Sequence, residues 1–222
     1  MVIVSFWNGN SAKTSFGIDG EMVDEHLVQL PFLHANIKPP SKVIDVGCTG
    51  SPAALQLATI RYNVMGIDYN DYGIKHPNIK FVQGDFNAAD LGKEKFDTAI
   101  VMNAIEHFGL QYYKRDEILD RQADIRAMTK IKEILSPGGQ LIFSSKYGIS
   151  DLATKSGKPF MRIYDEKALD VLLSAFKIDK TEYYLISDGK NIRQVPKEEA
   201  AGARYYGNSR SYAFVCISAT KI

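Results

Sequence analysis

Val43-Ile44-Asp45-Val46-Gly47-Cys48-Thr49-Gly50-Ser51-Pro52 decides how this chain is read. The apolar residues around Asp45 read as a strand, and Gly47 and Gly50 open a tight turn behind it. Ser51 suits a helix cap, and Pro52 suits the first helical position, where a missing N–H costs nothing. Ala53-Ala54-Leu55-Gln56-Leu57-Ala58 then continues as an apolar helix. Strand, glycine turn and helix N-terminus together form a backbone cradle for an adenosine-bearing cofactor.

A dinucleotide fingerprint has the spacing G-x-G-x-x-G, so Gly47 would need glycine at positions 49 and 52. Thr49 and Pro52 stand there, which argues against a nicotinamide enzyme. Asp45-x-Gly47-x-x-Gly50 resembles instead the first motif of the class I S-adenosylmethionine (SAM) methyltransferases. That motif has an acidic residue followed by glycines two, four and six positions on. Gly47 meets the first of these. Thr49 and Ser51 stand at the other two, and Gly50 is offset by one residue.

Outward from this turn the chain alternates. Strands are expected at Lys42–Val46, Val64–Asp68, Ile79–Gln83, Phe96–Met102, Gln140–Ser145, Ile178–Ser187 and Ser211–Ser218. Helices are expected at Gly20–Asn36 (stressed near Pro31), Pro52–Tyr62, Arg115–Leu135 and Asp165–Phe176, the last capped by Asp165. About twenty irregular residues join the last two strands, and antiparallel pairing at one edge is the simplest connection. The fold class is therefore α/β: a Rossmann-like, mostly parallel seven-stranded sheet with helices on both faces and an antiparallel edge near the C-terminus. One domain is expected over residues 1–222. Residues 1–39 form an N-terminal arm and helix, 40–145 the cofactor core, and 146–222 the acceptor-side loops and last strands.

Such a sheet binds ligands beyond the carboxyl ends of its strands. Asp68, followed by Tyr69, ends the second strand about twenty residues after the glycine turn, the spacing at which a carboxylate meets ribose hydroxyls. The resemblance implies that Asp85 accepts from the adenine amine, with the backbone N–H of Phe86 facing the ring. It places Asn103 near the methionine part of SAM and the acceptor. Leu135-Ser136-Pro137-Gly138-Gly139-Gln140 is similar to the turn before the fifth strand of these enzymes. The expected cofactor residues are thus Asp45, Gly47, Gly50, Asp68, Tyr69, Asp85, Phe86 and Asn103. The expected cofactor is SAM, leaving as S-adenosylhomocysteine (SAH).

Glu106-His107 follows Asn103. His107 is a candidate general base for a hydroxyl acceptor, and the alternative is that the pair caps and packs the next helix. Related enzymes that hold a divalent ion use Glu-x-x-Glu-His, but Asn103 replaces the first Glu here, so no metal is expected. Arg162 and Tyr164 are the expected acceptor residues: a guanidinium can grip an anion and a ring can lie against a sugar face. Residues 162–173 are also similar to bacterial methyltransferases that act on sugars and other small molecules. The reading is methyl transfer from SAM to a small-molecule acceptor, most simply a hydroxyl of an anionic or sugar-like biosynthetic intermediate. N-methylation, RNA methylation and a non-catalytic SAM-binding partner are the alternatives.

The composition agrees. A net charge of +1 argues against a strongly electrostatic nucleic-acid binder. Cys48 and Cys216 are the only cysteines and lack metal-site spacing, which fits a reduced, cytoplasmic protein. The first residues have no basic n-region with a long apolar core, and no apolar run is long enough to span a membrane.

Overall fold

A computed structural model describes residues 12–13 (backbone), 24–39, 42–110, 119–205 and 211–222. The strands are β1 (Ala12–Lys13), β2 (Lys42–Val46), β3 (Asn63–Asp68), β4 (Ile79–Gln83), β5 (Phe96–Met102), β6 (Leu135–Tyr147), β7 (Asp151–Lys155), β8 (Lys158–Ile163), β9 (Phe176–Ser187), β10 (Asn191–Val195) and β11 (Tyr212–Lys221). The helices are α1 (His26–Asn36), α2 (Ala53–Thr59), α3 (Ala123–Ile134), α4 (Glu166–Leu172) and α5 (Lys197–Ala201), with one 3₁₀ turn at Ile105–His107.

The main sheet has the order β1-β10-β9-β11-β6-β5-β2-β3-β4. From β4 through β3, β2 and β5 to β6 every pairing is parallel. From β6 outward every pairing is antiparallel. The seven expected strands are all present and adjacent, and β10 and β1 extend them to nine. β2 lies at the centre, with Val43, Ile44 and Val46 fully buried, as a strand covered on both faces requires. One core packs α3 and α4 on one face, through Met128, Ile131, Leu169 and Leu172. The other packs α1 and α2 on the opposite face, through Phe32, Leu33, Ala54 and Leu57.

Four expectations need correction. The connection between the last two strands is not irregular, because it contains β10 and α5. Asp188 and Gly189, both at positive φ, close the β9–β10 hairpin, with the Lys190 N–H donating to the Ser187 carbonyl. The loop after the fifth strand contains a second sheet, β7 with β8, closed by Ser156 and Gly157, again both at positive φ. Finally, α3 begins at Ala123 and not at Arg115, since residues 119–122 are non-helical and 111–118 lie outside the described residues. On its inward face Asp124, Met128, Ile131 and Ile134 are buried, while Ile125 is 38% exposed. In α1 the helix starts at His26 and runs through Pro31 without breaking, and residues 20–23 of the expected Gly20–Asn36 helix lie outside the described residues.

The Ser136-Pro137-Gly138-Gly139 turn is real, though it falls inside β6. Leu135 pairs with Phe96 and Gln140 with Thr98, so the four residues between bulge out. Asp165 caps α4 as expected, its Oδ1 accepting from the Ala168 N–H at 2.8 Å.

Candidate active site

The carboxyl ends of β2, β3, β4 and β5 bring the expected cofactor residues to one rim of the sheet. At the end of β2, Gly47 has φ +78, and its N–H donates to the Ile67 carbonyl at 2.8 Å. A Cβ built on Gly47 would lie 2.4 Å from the Ala104 Cβ. Glycine is required here twice, by conformation and by space. Gly50, at φ +87, has open space around it, so only its conformation favours glycine. Ser51 Oγ accepts from the Ala53 N–H at 3.2 Å and satisfies the first turn of α2.

Asp68 ends β3 beside this turn. One carboxylate oxygen accepts from the Thr49 N–H at 2.9 Å and the other from the Asn70 N–H at 2.9 Å. The side chain is half-buried and Tyr69 is exposed. Asp85 follows β4, and its Oδ1 accepts from the Asn87 N–H at 2.8 Å. The Phe86 ring is buried in the core, so only its backbone can serve a ligand. Lys130 from α3 lies over that ring and donates to the carbonyls of Phe86, Asn87 and Ala89.

Asp45 sits inside the rim and not on it. It is 2% exposed and lies near the backbone N–H of Ala54 at the start of α2. Its Oδ2 has no hydrogen-bond partner among the described residues. Burial, and then the nearby Asp68 carboxylate, push its pKa up to about 7.

Asn103 follows β5 with φ +50, a left-handed conformation that asparagine tolerates better than most residues. Its neighbour Ala104 is the residue that touches the glycine turn. Around Asn103 lies a buried ring of four side chains that the sequence did not reveal. Asn103 Nδ2 donates to Gln29 Oε1 at 3.3 Å, and Gln29 Nε2 donates to Glu25 Oε2 at 3.1 Å. Lys146 Nζ donates to Glu25 Oε1 at 2.6 Å and to Asn103 Oδ1 at 3.4 Å. Burial opposes the Lys146 charge, but the Glu25 and Glu106 carboxylates outweigh it and hold the ammonium above its ordinary pKa.

His107 lies in the 3₁₀ turn, its Nδ1 at 2.5 Å from the Phe160 carbonyl of β8. A carbonyl only accepts, so Nδ1 carries the proton and Nε2 is the basic nitrogen. Burial holds the imidazole below its ordinary pKa, so it is neutral. Glu106 is fully buried, and neither of its carboxylate oxygens has a hydrogen-bond partner among the described residues.

Arg162 and Tyr164 do not form the expected acceptor grip. The Arg162 guanidinium donates to the Phe108 carbonyl at 2.6 Å and the Asp120 carbonyl at 3.0 Å, and its Nε lies 3.3 Å from Asp124 Oδ2. Tyr164 is 4% exposed and its hydroxyl donates to the same Asp124 oxygen at 2.9 Å. The reason is Asp124: a carboxylate buried on α3 requires partners, and these two side chains supply them. Among the described residues, no group of three or more His, Cys, Asp or Glu is arranged to hold a metal ion. Nor is any helix there long and apolar enough to cross a membrane.

A methyltransferase-domain family matches residues 22–176, more than half of the chain and the whole of this rim. The chain belongs to the methyltransferase-domain family. Among curated relatives, the chain is 36% identical over 84 residues to an uncharacterised methyltransferase of Schizosaccharomyces pombe, covering 34% of this chain and 54% of that one. It is 30% identical over 95 residues to a sterol 24-C-methyltransferase of Pneumocystis carinii, covering 37% and 24%. The matches to these two relatives thus span about half and about a quarter of their length. Among solved structures, a SAM-dependent methyltransferase of Methanosarcina mazei superposes with a TM-score of 0.61 at 17% identity, covering 86% of this chain and 97% of that one. The Burkholderia thailandensis 1,6-didemethyltoxoflavin-N1-methyltransferase, solved with its substrate and SAH, gives 0.60 at 16% identity and covers 98% of both chains. At that identity the likeness shows a shared methyltransferase fold.

Proposed function

We propose that this methyltransferase transfers the methyl group of SAM to a small-molecule acceptor, at a hydroxyl of a sugar or other biosynthetic intermediate. The observation that carries the reading is the contact of Gly47 with Ala104, which leaves bare backbone at the end of β2 between the strand ends bearing Asp68 and Asn103. These residues fit an adenosyl donor. The bare turn admits the nucleoside, Asp68 is a half-buried acceptor for two ribose hydroxyls, and Asp85 is an acceptor for the adenine amine.

When bound, SAM supplies a methyl group already activated by the sulfonium. The chain's task is to align the acceptor, exclude water and take a proton. His107 suits the last role. Its Nδ1–H is held by the Phe160 carbonyl, which fixes the ring and makes Nε2 the nitrogen that takes the hydroxyl proton. Transfer to nitrogen is the second reading, favoured by the N1-methyltransferase and by NodS, an N-methyltransferase of Bradyrhizobium japonicum with the same fold. A neutral amine carries its own lone pair and needs no such base.

Calorimetry with SAH tests the donor. The wild-type chain binds it, and Asp68→Ala weakens binding by about 1.5–3 kcal/mol, the range for hydrogen bonds to a charged group. A folded wild-type chain with no affinity for SAH refutes the reading. Once an acceptor is found by screening, His107→Ala separates oxygen from nitrogen. Turnover falls about 10²–10⁴-fold with SAH affinity intact for a hydroxyl acceptor, and hardly at all for an amine.

A further inference from the structure

The ring Asn103–Gln29–Glu25–Lys146 is unusual for what it encloses. Its members come from α1, the end of β5 and the end of β6, far apart in sequence. Gln29 is fully buried and also donates to Ser144 Oγ at 3.0 Å, so its amide cannot swing away. The Lys146–Glu25 pair is buried, and the ammonium also lies 5.2 Å from the centre of the Tyr212 ring. A buried ion pair is weak as a source of stability but strong as a device for fixing geometry. What it fixes is Asn103, the one ring member with a left-handed backbone. Both polar ends of the Asn103 side chain are held within the ring, and its backbone N–H donates to the Ser144 carbonyl at 3.1 Å. The next residue, Ala104, packs against the glycine turn.

We infer that Gln29 and Lys146 are positioning residues for the methyl donor. They lock Asn103 in its left-handed conformation, so that the end of β5 meets the amino-acid end of SAM with its backbone already shaped. The inference rests on the SAM reading above. It also gives α1, which precedes the cofactor core, a role in that core's geometry.

The test is a double-mutant cycle read with SAH alone. Gln29→Leu keeps the volume in the core and removes the ring's amide, and Asn103→Gly gives the backbone its left-handed freedom without side-chain support. In the wild-type background, Gln29→Leu weakens SAH about fivefold, the scale of one net hydrogen bond. In the Asn103→Gly background the same change adds nothing. The Asn103 Cα resonance in labelled protein also moves in Gln29→Leu. Lys146→Met repeats the cycle if it folds, and the milder Gln29→Leu carries the test if it does not. An equal loss in both backgrounds overturns the inference, because a merely structural glutamine does not depend on residue 103. So does an unmoved Asn103 resonance. A wild-type chain that does not bind SAH refutes the donor reading and this one with it, whereas binding without coupling removes only the positioning role.

Discussion

Along the parallel half of the sheet, Asp68 ends β3 and Asp85 follows β4, both half-buried, their carboxylates accepting from N–H groups of the turns around them. In the antiparallel part of the molecule, Arg162 on β8 of the second sheet and Tyr164 just after it have equally suitable chemistry but are buried against Asp124 and two carbonyls. The difference lies in who the partner is. A strand-end carboxylate that rests on N–H donors of the rim turns can accept from a ligand as well. An arginine whose fork is filled by a buried acid and two carbonyls belongs to the framework. Residue type alone does not separate the two cases; the nearest buried charge does.

The largest expected effect tests the antiparallel side. Arg162→Ala leaves Asp124 buried with one partner fewer, so thermal or denaturant unfolding should show a loss of roughly 3–5 kcal/mol. SAH affinity of the folded fraction should not change. A stable Arg162→Ala chain with a raised acceptor KM would restore arginine to the acceptor site and erase the contrast.

The next effect comes from the parallel side, at Asp45. Burial raises its pKa in the fold to about 7, well above the ordinary aspartate value of about 4. Stability from this group is therefore fully present below about pH 4 and is lost as pH rises through 7. About three units correspond to a ceiling of roughly 4 kcal/mol. Asp45→Asn should flatten that part of the stability–pH curve and be more stable than wild type at pH 8. Parallel curves for the two proteins would show that Asp45 is ionised in the fold.

The smaller effect sharpens the comparison within the glycine turn. Gly47→Ala meets both a left-handed backbone and the Ala104 methyl, and should cost roughly 2–4 kcal/mol and abolish measurable SAH binding. Gly50→Ala meets only the backbone term, about 1–2 kcal/mol, and should keep most of the affinity. Equal losses would mean that the contact with Ala104 carries no weight.

The parallel half was legible because its signals are local. An apolar strand, a glycine and an acid at the strand end occur within a few residues of one another, and the seven adjacent strands follow from their alternation. The antiparallel half was less legible. The Asp188-Gly189 turn is a strong hairpin signal, and reading it would have found β10. The β7–β8 hairpin carries Ser156-Gly157 between strands with little apolar alternation, so the turn alone had to speak. The capture of Arg162 and Tyr164 depended on Asp124 being buried, whereas periodicity alone favours its apolar neighbour Ile125 for that face. The ring around Asn103 joins residues 74 and 43 positions away in sequence, and no local pattern encodes that.

Lys130 has a consequence for the entropy of binding. By gathering the carbonyls of Phe86, Asn87 and Ala89 and covering the Phe86 ring, it ties the turn that bears Asp85 to α3 before any ligand arrives. The ordering of that turn is met during folding, when the core forms, and does not have to be met again on association. A ligand that reaches Asp85 therefore finds a preorganised turn. Its affinity there reports contacts made, and its arrival need not wait for the turn to assemble.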